Sequence, residues 1–217
     1  KKIKMWSTIG SRATFGMALL EISQNMKDLI VLSSDVSTSA GLDRFRKMCP
    51  EKYVELGISE QNMIGVATGL SAENFNVVTT TFAPFQTIRC CEQIKINLGY
   101  MEHKVTFVGL ASGLALGNLG YTHCCIEDIG ILRTIPNIII LSPADSLETV
   151  KCLQSSLSTD KSVYIRLTGT ANNPIIYNDN YDFQIGKAIT MKEGSDITIF
   201  STGRMVHNSL KAAEILS

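Results

Sequence analysis

The residues best suited to chemistry stand in Gly57-Ile-Ser-Glu60-Gln61-Asn62-Met63. Glu60 follows a brief β-rich run, Val54-Glu-Leu-Gly, and enters a stretch that is otherwise apolar (Ile58, Met63, Ile64, Val66). A glutamate in the first turn of a helix commonly just meets the helix dipole. One set among apolar residues past a strand end is also drawn out of water, and such a carboxyl group can share a proton with a ligand nitrogen. The second candidate is His123, after the glycine-rich stretch Gly113-Leu-Ala-Leu-Gly117-Asn-Leu-Gly120 and the turn Tyr121-Thr122. An imidazole there can shuttle a proton near neutral pH or donate to a substrate hydroxyl. Cys124 and Cys125 adjoin it, but adjacency in sequence does not give the spatial approach that a thiol–imidazole pair needs. His103, His123 and His207 do not combine with the cysteines at ligand spacing, so no metal site is expected.

These residues need a frame, and the chain reads as alternating strands and helices. Phe15, Ala18, Leu19 and Ile22 recur at helical spacing within 12–25. Strands are expected at 29–33, 54–57, 76–81, 105–110, 138–141 and 163–166, rich in β-branched and apolar residues. Helices are expected at 59–74 with Ser59 as N-cap, at 85–98, at 127–134 and at 146–157. Continuous apolar strands alternating with helices imply a parallel sheet covered on both faces. Ligands of such sheets bind at the carboxyl ends of the strands. The loops after Leu32, Leu56, Thr81, Leu110 and Leu141 are therefore where a site is sought, and Glu60 and His123 lie on two of them.

Near 172–183 the chain turns polar and loop-like. Beyond it, Asp196-Ile-Thr-Ile-Phe-Ser-Thr-Gly-Arg204 reads as a strand and turn leading into a helix from about Met205 to Leu216. The expectation is one α/β domain over 1–175 and, over 176–217, a linker with the start of a second α/β domain.

Composition narrows the function. Twenty Lys and Arg balance twenty Asp and Glu, which leaves no basic stripe for nucleic acid. With 45% hydrophobic and 18% charged residues, disorder is excluded. The apolar runs are far below the ~20 residues of a membrane span, and Lys1-Lys2-Ile-Lys-Met-Trp does not read as a signal peptide. Six cysteines without a C-x-x-C pair, in a chain long enough to bury its own core, suggest reduced thiols and a cytoplasmic protein.

Five motifs in order resemble the transketolase superfamily of thiamine diphosphate enzymes. They are the Glu60 motif continuing into Ala67-Thr-Gly69-Leu, Ser33-Ser-Asp35-Val, Thr80-Thr-Phe82-Ala-Pro-Phe85, Gly117-Asn-Leu-Gly120-Tyr-Thr122-His123, and Glu127-Asp128 followed by Pro136-Asn137 and Ser142-Pro143-Ala144-Asp145. The resemblance runs from about Ser11 to Gly203 and is nearest to the C-terminal section of two-chain bacterial transketolases. It implies a thiamine-diphosphate-binding fold and a pyrimidine-binding domain. Glu60 would contact the aminopyrimidine, Phe82 and Phe85 would stack on it, and Asp35 and Ile88 would also line the cofactor; at Ile88 the family has an aromatic residue. His123, Arg12 and Arg166 would meet substrate, with His123 also catalytic.

The resemblance further implies a two-carbon ketol transfer between ketose and aldose. No Gly-Asp-Gly occurs in the chain. The diphosphate and Mg²⁺ would thus be held mainly by a partner chain, the N-terminal section, in a dimer of heterodimers. The β chain of a 2-oxo acid dehydrogenase first component shares the fold and a Gly-Ile-x-Glu-Gln motif and is the alternative. Its Phe-Ala-Asp run and downstream Phe-Asp are absent here. The sugar-phosphate members carry Thr-His-Asp where this chain has Leu110-Ala111-Ser112, and Glu-Asp where it has Asn118-Leu119. These departures point to a modified or differently phosphorylated sugar.

Overall fold

The computed structural model describes residues 2–169 and 171–217. Lys1, part of the opening segment read above, lies outside the described residues, as does Thr170. Six strands form one sheet in the order β2-β1-β3-β4-β6-β5: β1 (Leu29–Ser33), β2 (Tyr53–Glu55), β3 (Asn76–Phe82), β4 (Val105–Leu110), β5 (Ile138–Leu141) and β6 (Ser162–Arg166). Every pairing is parallel. Side chains alternate across the sheet, and the two faces carry two separate cores. Leu29 and Val31 of β1, with Val108 and Leu110 of β4, join a cluster under α1 (Lys2–Ser23) and α7 (Ser146–Ser158). Leu32, Val77, Val105 and Phe107 join the opposite cluster with Met63, Ile64 and Ala67 of α3 (Glu60–Ala72). Helices thus cover both faces, as the runs of apolar strand residues imply.

Three departures from the expected elements bear on the site. The first helix extends back to Lys2 because Gly10, at φ 81° and ψ 170°, joins two helical segments across a kink. Only glycine takes that conformation without strain. Gly16 in the same helix has no room for a Cβ, which would run into the Gly41 carbonyl. A short helix, α2 (Asp43–Met48), forms where no apolar period marks it.

The helix expected at 85–98 is broken. α4 (Ala83–Gln86) ends as the Thr87 hydroxyl bonds back to the Ala83 carbonyl at 2.7 Å. The chain then turns before α5 (Cys91–Gln93), which continues as a wide π-helix over Ile94–Tyr100. Wide helical turns of this kind often mark functional sites, and the break sets Arg89 apart from either helix.

The remaining helices are α6 (Asp128–Leu132) and α8 (Met205–Ile215). The strand expected from Asp196 does not form. No described residue pairs with it, and Ile197, Ile199 and Phe200 stay exposed. A strand is defined by its ladder, so an apolar β-rich segment without a partner stays irregular. The polar run near 172–183 is loop, yet it is tied down. Ile176 and Tyr177 donate their N–H groups to Asp145 Oδ2 at 2.9 and 3.0 Å, and Tyr181 donates to Glu148 Oε1 at 3.1 Å. Asp145 also caps α7 through the Glu148 N–H at 2.8 Å.

Candidate active site

Glu60 opens α3 directly behind the end of β2, on the carboxyl edge of the sheet. Ser59 occupies the N-cap position, but its hydroxyl donates to the Leu56 carbonyl at 2.8 Å and does not cap the helix. That bond folds the 56–59 turn tightly and sets the glutamate facing inward. Its side chain is 5% exposed, and Oε1 lies 2.9 Å from Nη1 of Arg89. The neighbouring Cys90 thiol is pushed up to about 12, first by burial and then by the Glu60 carboxylate. Glu55 braces the loops beside it: Asp35 N–H and Gly57 N–H donate to its Oε1 at 2.8 and 3.1 Å, and Tyr53 donates to its Oε2 at 2.6 Å.

Phe82 ends β3, and Pro84 fixes the first turn of α4 so that Phe85 follows on the same edge. Phe82 and Phe85 meet edge to face with centroids 6.3 Å apart. His123, from the loop after β4, completes the group at 6.2 Å from Phe82 and 5.4 Å from Phe85. Thr122 Oγ1 lies 3.0 Å from His123 Nδ1. Residues about 40 positions apart in sequence therefore form one aromatic cluster. The Arg89 guanidinium lies over the Phe85 ring, 4.0 Å from its centroid, and links this cluster to Glu60.

The other expected residues take different places. Asp35 is exposed, in the left-handed region at φ 55°, on the loop after β1. Ile88 is 42% exposed in the turn before Arg89. Arg12 is half-buried and lines a cavity of about 330 Å³ with Thr38, Ser39, Gly41 and Gly169. Arg166 is held by a buried carboxylate: its Nε lies 2.7 Å from Asp128 Oδ2, and its Nη2 reaches the Cys125 carbonyl at 3.5 Å. Tyr164 donates to the same Asp128 oxygen at 2.9 Å, while Asp128 Oδ1 is buried with no partner among the described residues. Burial, and then the Asp128 charge, push the Tyr164 hydroxyl well above its ordinary range.

At the departures noted in the sequence, Ala111 sits at φ 53° and the Ser112 hydroxyl is buried without a partner among the described residues. Arg89, Asp128, Tyr164 and Glu55 were not singled out as site residues by sequence; only Glu127-Asp128 carried a signal, as a family motif. Among the described residues, no group of three or more His, Cys, Asp and Glu is arranged to hold a metal ion. The six cysteines are unbridged. No helix among the described residues is long and apolar enough to cross a membrane.

Residues 7–173 match the family model of the transketolase pyrimidine binding domain. An apulose-4-phosphate transketolase subunit from Phocaeicola vulgatus is 35% identical over 209 residues, covering 96% of this chain and 67% of that protein. A 6-deoxy-6-sulfo-D-fructose transketolase subunit from Clostridium sp. is 35% identical over 208 residues, 95% of this chain and 64% of the relative. The chain thus spans about two thirds of the length of these relatives. Among solved structures, a split-gene transketolase described as an inactive β4 tetramer superposes with a TM-score of 0.87 at 34% identity, covering 96% of this chain and 67% of that one. The parallel six-stranded sheet, its two helical layers and the matched span together place the chain in the transketolase pyrimidine-binding domain family.

Proposed function

We propose that this chain is the pyrimidine-binding part of a thiamine-diphosphate-dependent transketolase made from two chains. The observation that carries the reading is a buried carboxylate, Glu60, joined through Arg89 to the Phe82–Phe85–His123 cluster on the carboxyl edge of the sheet. An aminopyrimidine needs two things from a protein: a carboxylate for a ring nitrogen and an apolar face for the ring. Glu60 and Phe85 offer both within the span of one guanidinium. When bound, thiamine diphosphate supplies the carbon nucleophile for cleaving and remaking a carbon–carbon bond. Glu60 holds the proton at the pyrimidine N1′ nitrogen. Phe82 and Phe85 fix the ring plane by stacking, about 0.5–1.5 kcal/mol per pair beyond burial. His123, packed edge-on against both rings, is placed to exchange a proton with a substrate hydroxyl. Asp35 and Ile88 border the same edge.

Arg12 and its cavity are the anion-binding part of the substrate site in this reading. Arg166 contributes by tying the 113–125 loop, which carries His123, to β6. The diphosphate and Mg²⁺ belong to an N-terminal-section partner carrying Gly-Asp-Gly, in a dimer of heterodimers. The names of the relatives, a transketolase subunit and a split-gene transketolase, support a partner chain. Only with that partner is the chain catalytically competent; the complex transfers a two-carbon ketol unit within carbohydrate metabolism, in the cytoplasm. Leu110-Ala111-Ser112 and Asn118-Leu119 favour a modified sugar over the common pentose phosphates, and relatives named for apulose 4-phosphate and a sulfo-sugar accord with that.

The test is Glu60→Gln in the reconstituted two-chain complex. Exchange of the C2 proton of bound thiamine diphosphate is expected to fall by about 10²–10⁴-fold, the range for a positioned acid–base group. An unchanged rate in a folded complex overturns the assignment.

A further inference from the structure

We infer that Arg89 is an internal stand-in for the ring that Glu60 and Phe85 take, and that it must swing away for the cofactor to enter. The inference rests on the reading of Glu60 and Phe85 given above. One guanidinium makes both contacts at once: an N–H to Glu60 Oε1 at 2.9 Å and a flat face over Phe85 at 4.0 Å. A guanidinium is planar, delocalised and edged with N–H groups, and it stacks on aromatic faces. Those are the features by which an aminopyrimidine protonated on N1′ would be gripped. Arg89 and the ring therefore compete for the same carboxylate and the same phenyl face.

The backbone makes the exchange feasible. Arg89 sits in the break between α4 and α5, where its N–H bonds to the Pro84 carbonyl at 3.2 Å. Its side chain is 41% exposed, while that of Glu60 is 5% exposed. The arginine can leave into solvent and the glutamate cannot. With the arginine seated, its guanidinium is the charge partner of the Glu60 carboxylate, a half-exposed pair whose loss costs little because water can take the arginine's place. Binding of the ring and release of Arg89 are then one linked step, and apparent affinity is reduced by the fraction of molecules in which Arg89 is seated.

The experiment is calorimetric titration of thiamine diphosphate with Mg²⁺ into the reconstituted two-chain complex, wild type against Arg89→Met, Arg89→Lys and Glu60→Gln. Arg89→Met is expected to tighten binding about 3- to 10-fold, the population shift expected from removing one half-exposed ion pair with a cation–π contact. Arg89→Lys keeps a charge for Glu60 but lays no flat face on Phe85, so it should tighten binding by a smaller factor. It also serves if Arg89→Met does not fold. Unchanged or weaker binding in the folded arginine variants, with Glu60→Gln weakened, overturns the stand-in and leaves the Glu60 assignment standing. If Glu60→Gln binds as wild type does and keeps its C2 proton exchange, the assignment of Glu60 fails and the inference falls with it.

Discussion

Two arginine–carboxylate pairs stand on the carboxyl edge of this sheet, and they are built for opposite ends. In the Asp128–Arg166 pair both partners are enclosed: the aspartate is fully buried and the arginine side chain is 15% exposed. The same aspartate oxygen also receives the Tyr164 hydroxyl, and the arginine reaches on to a backbone carbonyl. In the Glu60–Arg89 pair the carboxylate is as deeply set, but its partner is 41% exposed and rests on an aromatic face. The first pair is a tie between β6 and the start of α6, and through the Cys125 carbonyl Arg166 also reaches the loop bearing His123. The second is a contact that one partner can leave. A buried carboxylate by itself therefore says little about role; what its partner is free to do decides.

The sharpest way to break the comparison is to make the same substitution in both pairs. Among the described residues, Arg166→Met leaves the Asp128 charge buried with Tyr164 alone, and its other oxygen already lacks a partner. Loss of one member of a buried pair costs about 3–5 kcal/mol. Urea unfolding should show that loss directly, and a cost under about 1 kcal/mol would mean that Arg166 is not a tie.

A second prediction concerns alkaline pH. Cys90 is buried and its thiol is pushed up to about 12 from the ordinary value of 9.0. The fold thus prefers the protonated thiol more than the unfolded chain does. That contribution is complete below about pH 9 and is lost as pH rises toward 12. Tyr53, also pushed up to about 12, adds a loss that begins above 10. The urea midpoint is expected to be flat between neutrality and about pH 8.5 and to fall above about pH 9, a window that follows from these two shifts. Cys90→Ala should lessen the first part of the fall, to which the Cys125 and Cys152 thiols, also pushed up by burial, contribute as well; a slope that persists unchanged would clear Cys90 of it. Tyr164→Phe comes next in size. It removes a hydrogen bond to a buried charge, about 1.5–3 kcal/mol, and a change within about 0.5 kcal/mol in urea unfolding would show that Arg166 alone satisfies Asp128.

The two pairs also differ in how far the sequence revealed them. Glu60, Phe82, Phe85 and His123 were legible because each lies in a compact loop motif past a strand end, and the parallel sheet brings strand ends together. Asp128 appeared only within a family motif. Its partners Tyr164 and Arg166 are more than thirty residues away, and nothing local in the chain records that pairing. Arg89 was hidden by the helical spacing of 85–98, which reads as one unbroken helix. The break comes from the Thr87 hydroxyl turning back on the Ala83 carbonyl and from the π-helix beyond. At Asp196 the error ran the other way: β-propensity was present, but a strand also requires a partner.

Arg89→Met, set against Arg166→Met, is the smallest effect expected and the most telling. Arg89 is 41% exposed, so the place its guanidinium leaves borders solvent, and water is expected to reach the Glu60 carboxylate when the guanidinium is deleted. Exposed or half-exposed ion pairs contribute about 0–1 kcal/mol, and the stability lost in Arg89→Met, read by urea unfolding, should lie within that range. A loss of about 3 kcal/mol or more, as large as that expected for the enclosed pair, would mean that Glu60 has no other way to be solvated once Arg89 is gone. The arginine would then be as fixed as Arg166, and a ring could not take its place without a comparable loss of stability. A small loss together with tighter cofactor binding is the combination that separates a residue that yields its place from one that holds the fold.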